Sequence, residues 1–259
     1  MERLILAETM ESALRCPERA VGARVMVAAL VVALVAWSAA ARADPTRLAP
    51  GFTALPAGAK VLVVAPDIEL FLLTTGGVLE PRADWTSAAQ SHALERILAR
   101  QDSLHVSMVK LDETIADELG EQLNLHAAVA NAIVQHHFGP NNLHLPSKAG
   151  GLDWSFGDAL HPLQQRTGAD YALFTVARDS YSSSGRKVTS ALLGLMAAAG
   201  GVVYVRGGGR QVAYSSLVDL QTGRVLWFNL MGRASGDLRD PKGATETIDA
   251  LFKDFPAGR

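Results

Sequence analysis

The chain has 259 residues, of which 24 are basic and 26 acidic, so its formal net charge is −2. Without a basic stripe, the sequence argues against a nucleic acid as partner. The length is enough for one large domain or two small ones.

The N-terminal region has the order of segments found in a secretory signal peptide. Residues 25–37 carry no charge, Arg19 and Arg24 precede them, and small residues follow at Ala41 and Ala43. This order predicts cleavage near Ala43 and export to the periplasm. The alternative is an uncleaved anchor, but a span needs about 20 apolar residues, and Arg42 ends this run earlier.

Cleavage would leave a mature chain without cysteine. Residues 1–43 hold five of the 24 basic and four of the 26 acidic residues, which leaves 19 and 22 and a net charge of −3. The one cysteine, Cys16, precedes the apolar run, whereas a lipoprotein needs its cysteine directly after that run. We therefore expect no disulfide, no lipid anchor and no membrane contact except through the signal peptide before cleavage.

The first half of the mature chain alternates predicted strands and helices. Residues 44–59 are rich in Pro, Ala and Gly and predict a flexible arm. Strands are predicted at 60–65, ended by Pro66, and at 68–74. Asp84 is predicted to cap the next helix. The inner stripe of that helix is predicted as Ala88, Ala89, Ala93, Ile97 and Leu98.

Two more helices and a strand follow. Residues 105–111 alternate as a strand does, and residues 123–138 predict a helix that ends at Gly139-Pro140. A third helix is predicted at 154–166. The buried face of the helix at 123–138 is predicted as Leu123, Ala127, Ala130 and Val134.

The second half is richer in strands. Strands are predicted at 171–177, 211–220 and 224–229, with Gln221-Thr222-Gly223 as the hairpin turn between the last two. A helix at 245–252 closes the chain. This order predicts one α+β domain over residues 60–255, with a mixed sheet and helices on one or both faces. Residues 188–209 are either a core element or an apolar extension that docks on a partner.

No cofactor or metal site is predicted. His136 and His137 are adjacent on a helix and point about 100° apart, and His126 lies far from His137, so a solvated helix end is the better interpretation. Asp67 and Glu69 would share one face of a strand. They support an alternative function, an envelope hydrolase of glycan or peptide, although a surface carboxylate pair explains them as well.

Two segments resemble a known superfamily. Residues 168–179 and the run Asp219-Leu-Gln-Thr-Gly-Arg-Val-Leu-Trp227 are similar to segments of the curli-secretion lipoprotein, the penicillin-binding-protein activator lipoproteins and the N-terminal domain of TolB. The resemblance covers roughly residues 60–255. It implies an α/β sandwich that acts by binding in the cell envelope, and no catalytic residues.

The sequence therefore predicts a periplasmic accessory or scaffolding protein, not an enzyme, that binds an envelope protein or itself. The candidate contacts are a polar loop after the strand at 171–177 and an apolar stretch beyond it, because an aromatic residue and two cations among serines suit recognition. The candidate residues are Tyr181, Arg186, Lys187, Leu192, Leu193 and Met196.

Overall fold

The structure is a computed structural model that describes residues 47–74, 78–140, 143–148, 150–182, 211–233 and 236–259. These residues belong to one compact unit, Ala43–Arg259. The predicted signal peptide and the stretch 188–209 lie outside the described residues.

Seven strands and six α-helices make up the described fold. The strands are β1 Lys60–Val63, β2 Asp67–Leu73, β3 Leu79–Pro81, β4 Ser107–Lys110, β5 Tyr171–Ser182, β6 Gln211–Asp219 and β7 Val225–Arg233. The helices are α1 Ala83–Leu98, α2 Gln101–Leu104, α3 Glu113–Glu118, α4 Gly120–His136, α5 His161–Thr167 and α6 Pro241–Leu251. Short 3₁₀ helices lie at Pro146–Lys148 and Gly157–Leu160.

The long strand β5 is the centre of one mixed sheet. On one side it pairs antiparallel with β6, which in turn pairs with β7. On the other side β1 and β2 follow one another along β5, both parallel to it. Beyond them, β4 pairs parallel with β1 and β3 antiparallel with β2. The predicted class, a single-domain α+β fold with a mixed sheet and flanking helices, is confirmed.

Helices cover both faces of the sheet. We call the two sides the α1/α6 face and the α4 face. Along β5, Leu173 and Ala177 pack towards α1 and α6, while Ala172, Phe174 and Val176 pack towards α4. This alternation follows from the period of two residues in a strand, and each fully buried Leu or Phe contributes about 1.5–3 kcal/mol.

The predicted starts of the first and third helices need correction. Arg82, not Asp84, is the N-cap of α1, and Asp84 lies in its first turn. The third helix begins at His161 rather than Trp154, because backbone bonds from Val225 N to Trp154 O and from Phe156 N to Gly223 O tie the preceding segment to the β6–β7 hairpin.

The buried face of α4 also differs from the prediction. Its buried residues are His126, Ala130, Ile133 and Val134, whereas Ala127 is exposed. A pattern of apolar letters assigns the face to Ala127, because an imidazole counts as polar in such a pattern.

The segment predicted as a flexible arm, 44–59, is packed in its described part from residue 47 onwards. Ala49 N donates to Leu226 O at 2.9 Å, and Leu55 N donates to Pro256 O at 3.2 Å. Both side chains are buried in the core of the α1/α6 face. Backbone bonds to β7 and to the C-terminal segment therefore order this stretch.

The hairpin between β6 and β7 and the last helix form for local reasons. Asp219 Oδ1 accepts from Gln221 N and Thr222 N, at 2.8 and 2.9 Å. Gly223 has φ +67°, and a Cβ there would lie 2.0 Å from Gly157 O, so only glycine fits. Helix α6 begins earlier than predicted, because Asp240 Oδ2 caps Gly243 N at 3.0 Å.

Candidate functional site

Tyr181 is the described member of the predicted contact set, and it lies in β5, not in a loop after the strand. Its hydroxyl donates to Asp179 Oδ2 at 2.8 Å and accepts from Leu238 N at 2.9 Å. Burial and the neighbouring carboxylate of Asp179 raise the pKa of Tyr181 above its ordinary value of 10.0. The half-buried phenol ring is thus fixed at its polar end.

An aromatic and guanidinium stack surrounds that ring, and we call Arg82, Trp85, Tyr181 and Arg239 the Trp85 cluster. The rings of Trp85 and Tyr181 meet edge to face with centroids 5.8 Å apart. The Arg239 guanidinium carbon lies 3.9 Å from the Tyr181 ring centroid and 4.7 Å from that of Trp85. Arg82 lies 4.3 Å from the Trp85 centroid. Both arginines are about one-third exposed.

Each arginine of the Trp85 cluster is held by an aspartate two residues away. Arg82 Nε and Nη2 donate to Asp84 at 3.2 and 2.9 Å, and Arg239 Nε and Nη2 donate to Asp237 at 2.8 and 2.6 Å. The pKa of Asp237 is lowered chiefly by its bond to Arg239. Paired donors of this kind fix the plane of a guanidinium.

Asp179 lies beneath Tyr181 and is almost completely buried, at 1% exposure. Besides Tyr181, its carboxylate accepts from Gln211 Nε2 at 3.0 Å and from Ser180 N at 2.7 Å. Gln211 Oε1 in turn accepts from Thr247 of α6 at 3.2 Å. Burial is the main cause that raises the pKa of Asp179 to about 6. The network joins β5, β6 and α6.

Five predicted contacts lie outside the described residues, so their role stays a prediction. They are Arg186, Lys187, Leu192, Leu193 and Met196.

The carboxylates of the alternative hydrolase hypothesis share one cation. Asp67 Oδ2 lies 2.9 Å from Arg178 Nη2, and Glu69 Oε2 lies 3.2 Å from Arg178 Nε. The side chain of Arg178 is 11% exposed, while those of Asp67 and Glu69 are 56% and 53% exposed. They do share one face of β2, as predicted, and their negative charge neutralises a largely buried arginine.

His126 has an environment that the sequence did not indicate. Its ring stacks on Phe174 with centroids 3.8 Å apart, and Nε2 lies 2.7 Å from Ser216 Oγ. Burial lowers the pKa of His126 from 6.5 to about 3, so the ring is neutral. A serine and histidine at this distance suggest a catalytic pair, but both are at most 4% exposed. Packing explains this pair better than catalysis does.

Sequence reasoning also missed Trp85, Arg82 and Arg239. The available signals were the local patterns Arg82-Ala-Asp84 and Asp237-Leu-Arg239, each of which allows a bidentate pair. These segments are more than 150 residues apart, and only the packing of α6 against α1 brings them together. Within the described residues, no helix is long and apolar enough to cross a membrane.

The sequence matches no known protein family and no curated protein. Several solved structures resemble it. The PelC dodecamer from Paraburkholderia phytofirmans is 15% identical, with 80% of this chain and 94% of that chain covered and a TM-score of 0.34. Lipoprotein GNA1162 from Neisseria meningitidis is 15% identical, with 75% and 96% covered and a TM-score of 0.30.

The C-terminal domain of LpoB from Salmonella enterica is 15% identical, with 72% and 88% covered and a TM-score of 0.28. Membership of the superfamily expected from the sequence stays a prediction. The likeness to the TolB N-terminal domain and to the curli-secretion lipoprotein stays a prediction. At these TM-scores the likeness carries no argument about function.

Proposed function

We propose that this chain is an exported periplasmic accessory protein that binds another protein of the cell envelope through the Trp85 cluster. The proposal rests on one observation: a tryptophan, a tyrosine and two arginines form a partly exposed, pre-arranged stack. These three residue types are the ones most enriched at energetic hot spots of protein interfaces.

The internal contacts of the cluster favour binding because they reduce its entropic cost. The Tyr181 hydroxyl is held between Asp179 and Leu238 N, and each guanidinium is held by its aspartate. Immobilising a flexible side chain on binding costs about 0.5–1.5 kcal/mol, and these side chains are already ordered.

The chemistry of the cluster indicates the kind of partner. Each arginine uses Nε and Nη2 for its aspartate, so Nη1 is not part of either pair. The Nη1 donors suit peptide carbonyl oxygens, and the rings suit apolar side chains. Because each guanidinium is neutralised locally, we expect binding that depends only weakly on salt.

No specific observation favours the hydrolase alternative. Asp67 and Glu69 are exposed and bound to the same arginine, whereas glycosidase carboxyls flank a substrate cleft.

Site-specific photo-crosslinking in intact cells tests the binding surface. A photoreactive amino acid replaces Arg82 or Arg239, and the matched control replaces Arg166, which forms an ion pair with Glu118 on the α4 face. We expect a crosslinked product with a second envelope protein from positions 82 and 239 and none from position 166. Equal crosslinking from all three positions, or none, would reject the Trp85 cluster as the contact.

Export is tested separately by cell fractionation and N-terminal sequencing. We expect a periplasmic protein that begins at Asp44. A protein that is found in the membrane fraction and still contains residues 25–41 would contradict cleavage and support an uncleaved anchor.

A further inference from the structure

One edge of the sheet is formed by two short strands, β3 and β4. The strand β6 occupies one whole side of β5, so β1 and β2 both lie on the other side. Since β4 is the outer neighbour of β1 and β3 is the outer neighbour of β2, both terminate the sheet at the same edge. An edge strand presents backbone groups to which another strand can bond.

The hydrogen bonds show which backbone groups these are. Ser107 N donates to Ala59 O and Leu111 N donates to Val63 O. The backbone N–H and C=O groups of the alternating residues of β4, Met108 and Lys110, therefore point away from β1. Just before β3, Val78 O accepts from Thr74 N on the side of β2. The backbone groups of the next residue, Leu79, therefore point away from β2. Within the described residues, β3 pairs only with β2 and β4 only with β1.

Exposed apolar side chains mark the same edge. Within the described ranges, Val78 at 61% and Val109 at 57% are the most exposed large hydrophobic residues, and Leu125 follows at 37%. Val109 also borders an open groove of about 280 Å³ on the α4 face, lined in part by Leu62, Ile115 and Ala169 and by the charged residues Lys60, Asp112 and Arg166. Apolar residues exposed at a strand edge favour pairing with another strand.

The two strands complement each other when they are aligned in parallel over residues 78–80 and 108–110. Lys110 is paired with Val63 and therefore lies on the α1/α6 face. Glu80 is paired with Leu72, which lies on the same face because side chains alternate along β2. In this register Lys110 meets Glu80.

The neighbouring pair falls on the opposite side. Val109 shares the α4 face with Leu62, and Leu79 shares the face of Leu73, which is also the α4 side by alternation. Val109 therefore meets Leu79 beside the groove. The backbone hydrogen-bonding pattern fits the same register. The free backbone groups of Leu79 lie between those of Met108 and Lys110, as pairing of parallel strands requires.

From this match we infer that two copies of the chain join at this edge, with β4 of one copy parallel to β3 of the other. Both strands belong to one edge, so a single two-fold axis forms the pairing twice. The occupant is a second copy because this chain itself supplies both the complementary charges and the apolar partner. Among the described residues, Lys110 forms an ion pair with the exposed Glu113, and such a pair contributes little.

Cysteine crosslinking tests the register. A chain that begins at Asp44 contains no cysteine, because the only one is Cys16. Leu79→Cys and Val109→Cys variants are mixed in equal amounts and oxidised mildly. We expect the mixed dimer to dominate over both self-crosslinked dimers. The matched control mixes Val109→Cys with Leu125→Cys, whose exposed position lies on α4, and should give only background.

Charge reversal tests the same contact without a covalent bond. In sedimentation velocity, Lys110→Glu or Glu80→Lys alone should raise the dimer dissociation constant by about tenfold, since each pair occurs twice. The double variant in one chain should restore the wild-type constant, a result that a local structural effect does not give.

A wild-type chain that stays monomeric at about 100 µM, well above a micromolar dissociation constant, would overturn the inference. A dimer that neither reversal affects would also overturn it, since another surface would then join the copies. These outcomes are separate from the Trp85 cluster, which lies on other residues and is tested by crosslinks to a different protein.

Discussion

Each face of the sheet buries a titratable side chain, Asp179 on the α1/α6 face and His126 on the α4 face, and the two are held in different ways. Asp179 on the α1/α6 face has three hydrogen-bond donors, and one of them, Tyr181, reaches the partly exposed Trp85 cluster. His126 on the α4 face has Ser216 as its polar contact and is otherwise stacked among aromatic rings.

The α1/α6 face therefore holds side chains that reach the surface, whereas the α4 face holds side chains that pack in the core. The polar network around Asp179 positions side chains that extend to the surface, so its rigidity serves binding. The His126 stack fills the space between α4 and β5, so it serves stability. Both sites favour the neutral form of their buried group, and they should therefore respond to acid in opposite directions.

The largest expected effect comes from His126→Ala. Removal of the ring leaves a cavity against Phe174 and an unpaired Ser216 hydroxyl, and we expect a loss of about 3 kcal/mol in the free energy of unfolding. Urea denaturation measures it. The control Leu125→Ala, one residue away and exposed, should cost less than about 1 kcal/mol. Equal losses would mean that His126 does not pack as described.

The pH dependence of stability should differ between Asp179 and His126. The pKa of Asp179 is about 6 in the folded chain against an ordinary 3.8, so the folded state binds an extra proton as pH falls from 6 to 4, and stability rises. The pKa of His126 is about 3 against 6.5, so the folded state lacks a proton over pH 6.5 to 3, and stability falls. Since one pKa unit corresponds to about 1.4 kcal/mol, each contribution amounts to a few kcal/mol at most.

Two variants separate these contributions. Asp179→Asn removes the stabilisation that Asp179 gives at low pH, so its stability should fall more steeply than that of the wild type between pH 6.5 and 4. His126→Phe removes the destabilisation that His126 causes at low pH, so its stability should fall less over the same range. Melting temperatures at several pH values measure both slopes. Parallel slopes for all three proteins would contradict the assigned burial of these groups.

The smallest expected effect is that of Arg82→Ala on stability. The ion pair with Asp84 is exposed, and such pairs contribute about 0–1 kcal/mol. We therefore expect nearly unchanged unfolding together with weaker crosslinking to the partner from a photoreactive residue at position 239. A large drop in stability would instead assign Arg82 a structural role.

Much of the secondary structure follows from local patterns. The strands β1, β5, β6 and β7 and the turn at Gly223 are predicted from β-branched runs and turn chemistry, because these signals depend on neighbouring residues. Helix boundaries are predicted less well. Helix α6 begins four residues before the predicted Thr245, because its cap is the side chain of Asp240.

The candidate site is only partly accessible to such reasoning. The sequence predicts Tyr181 as a contact in a polar loop, yet Tyr181 lies in β5 and its contacts come from Trp85, Leu238 and Arg239. No local pattern links positions that lie 50 to 150 residues apart, and pairing of that kind is decided by packing of whole elements.

Short-range periodicity is enough to predict the mixed α+β class, the order of the main strands and the alternation that assigns each strand residue to a face. Three features cannot be predicted in this way: β1 and β2 share one side of β5, His126 rather than Ala127 is buried, and Trp85 stacks with Tyr181 and Arg239. Each of these depends on contacts between distant segments, whose free energy comes from burial that a linear pattern does not contain.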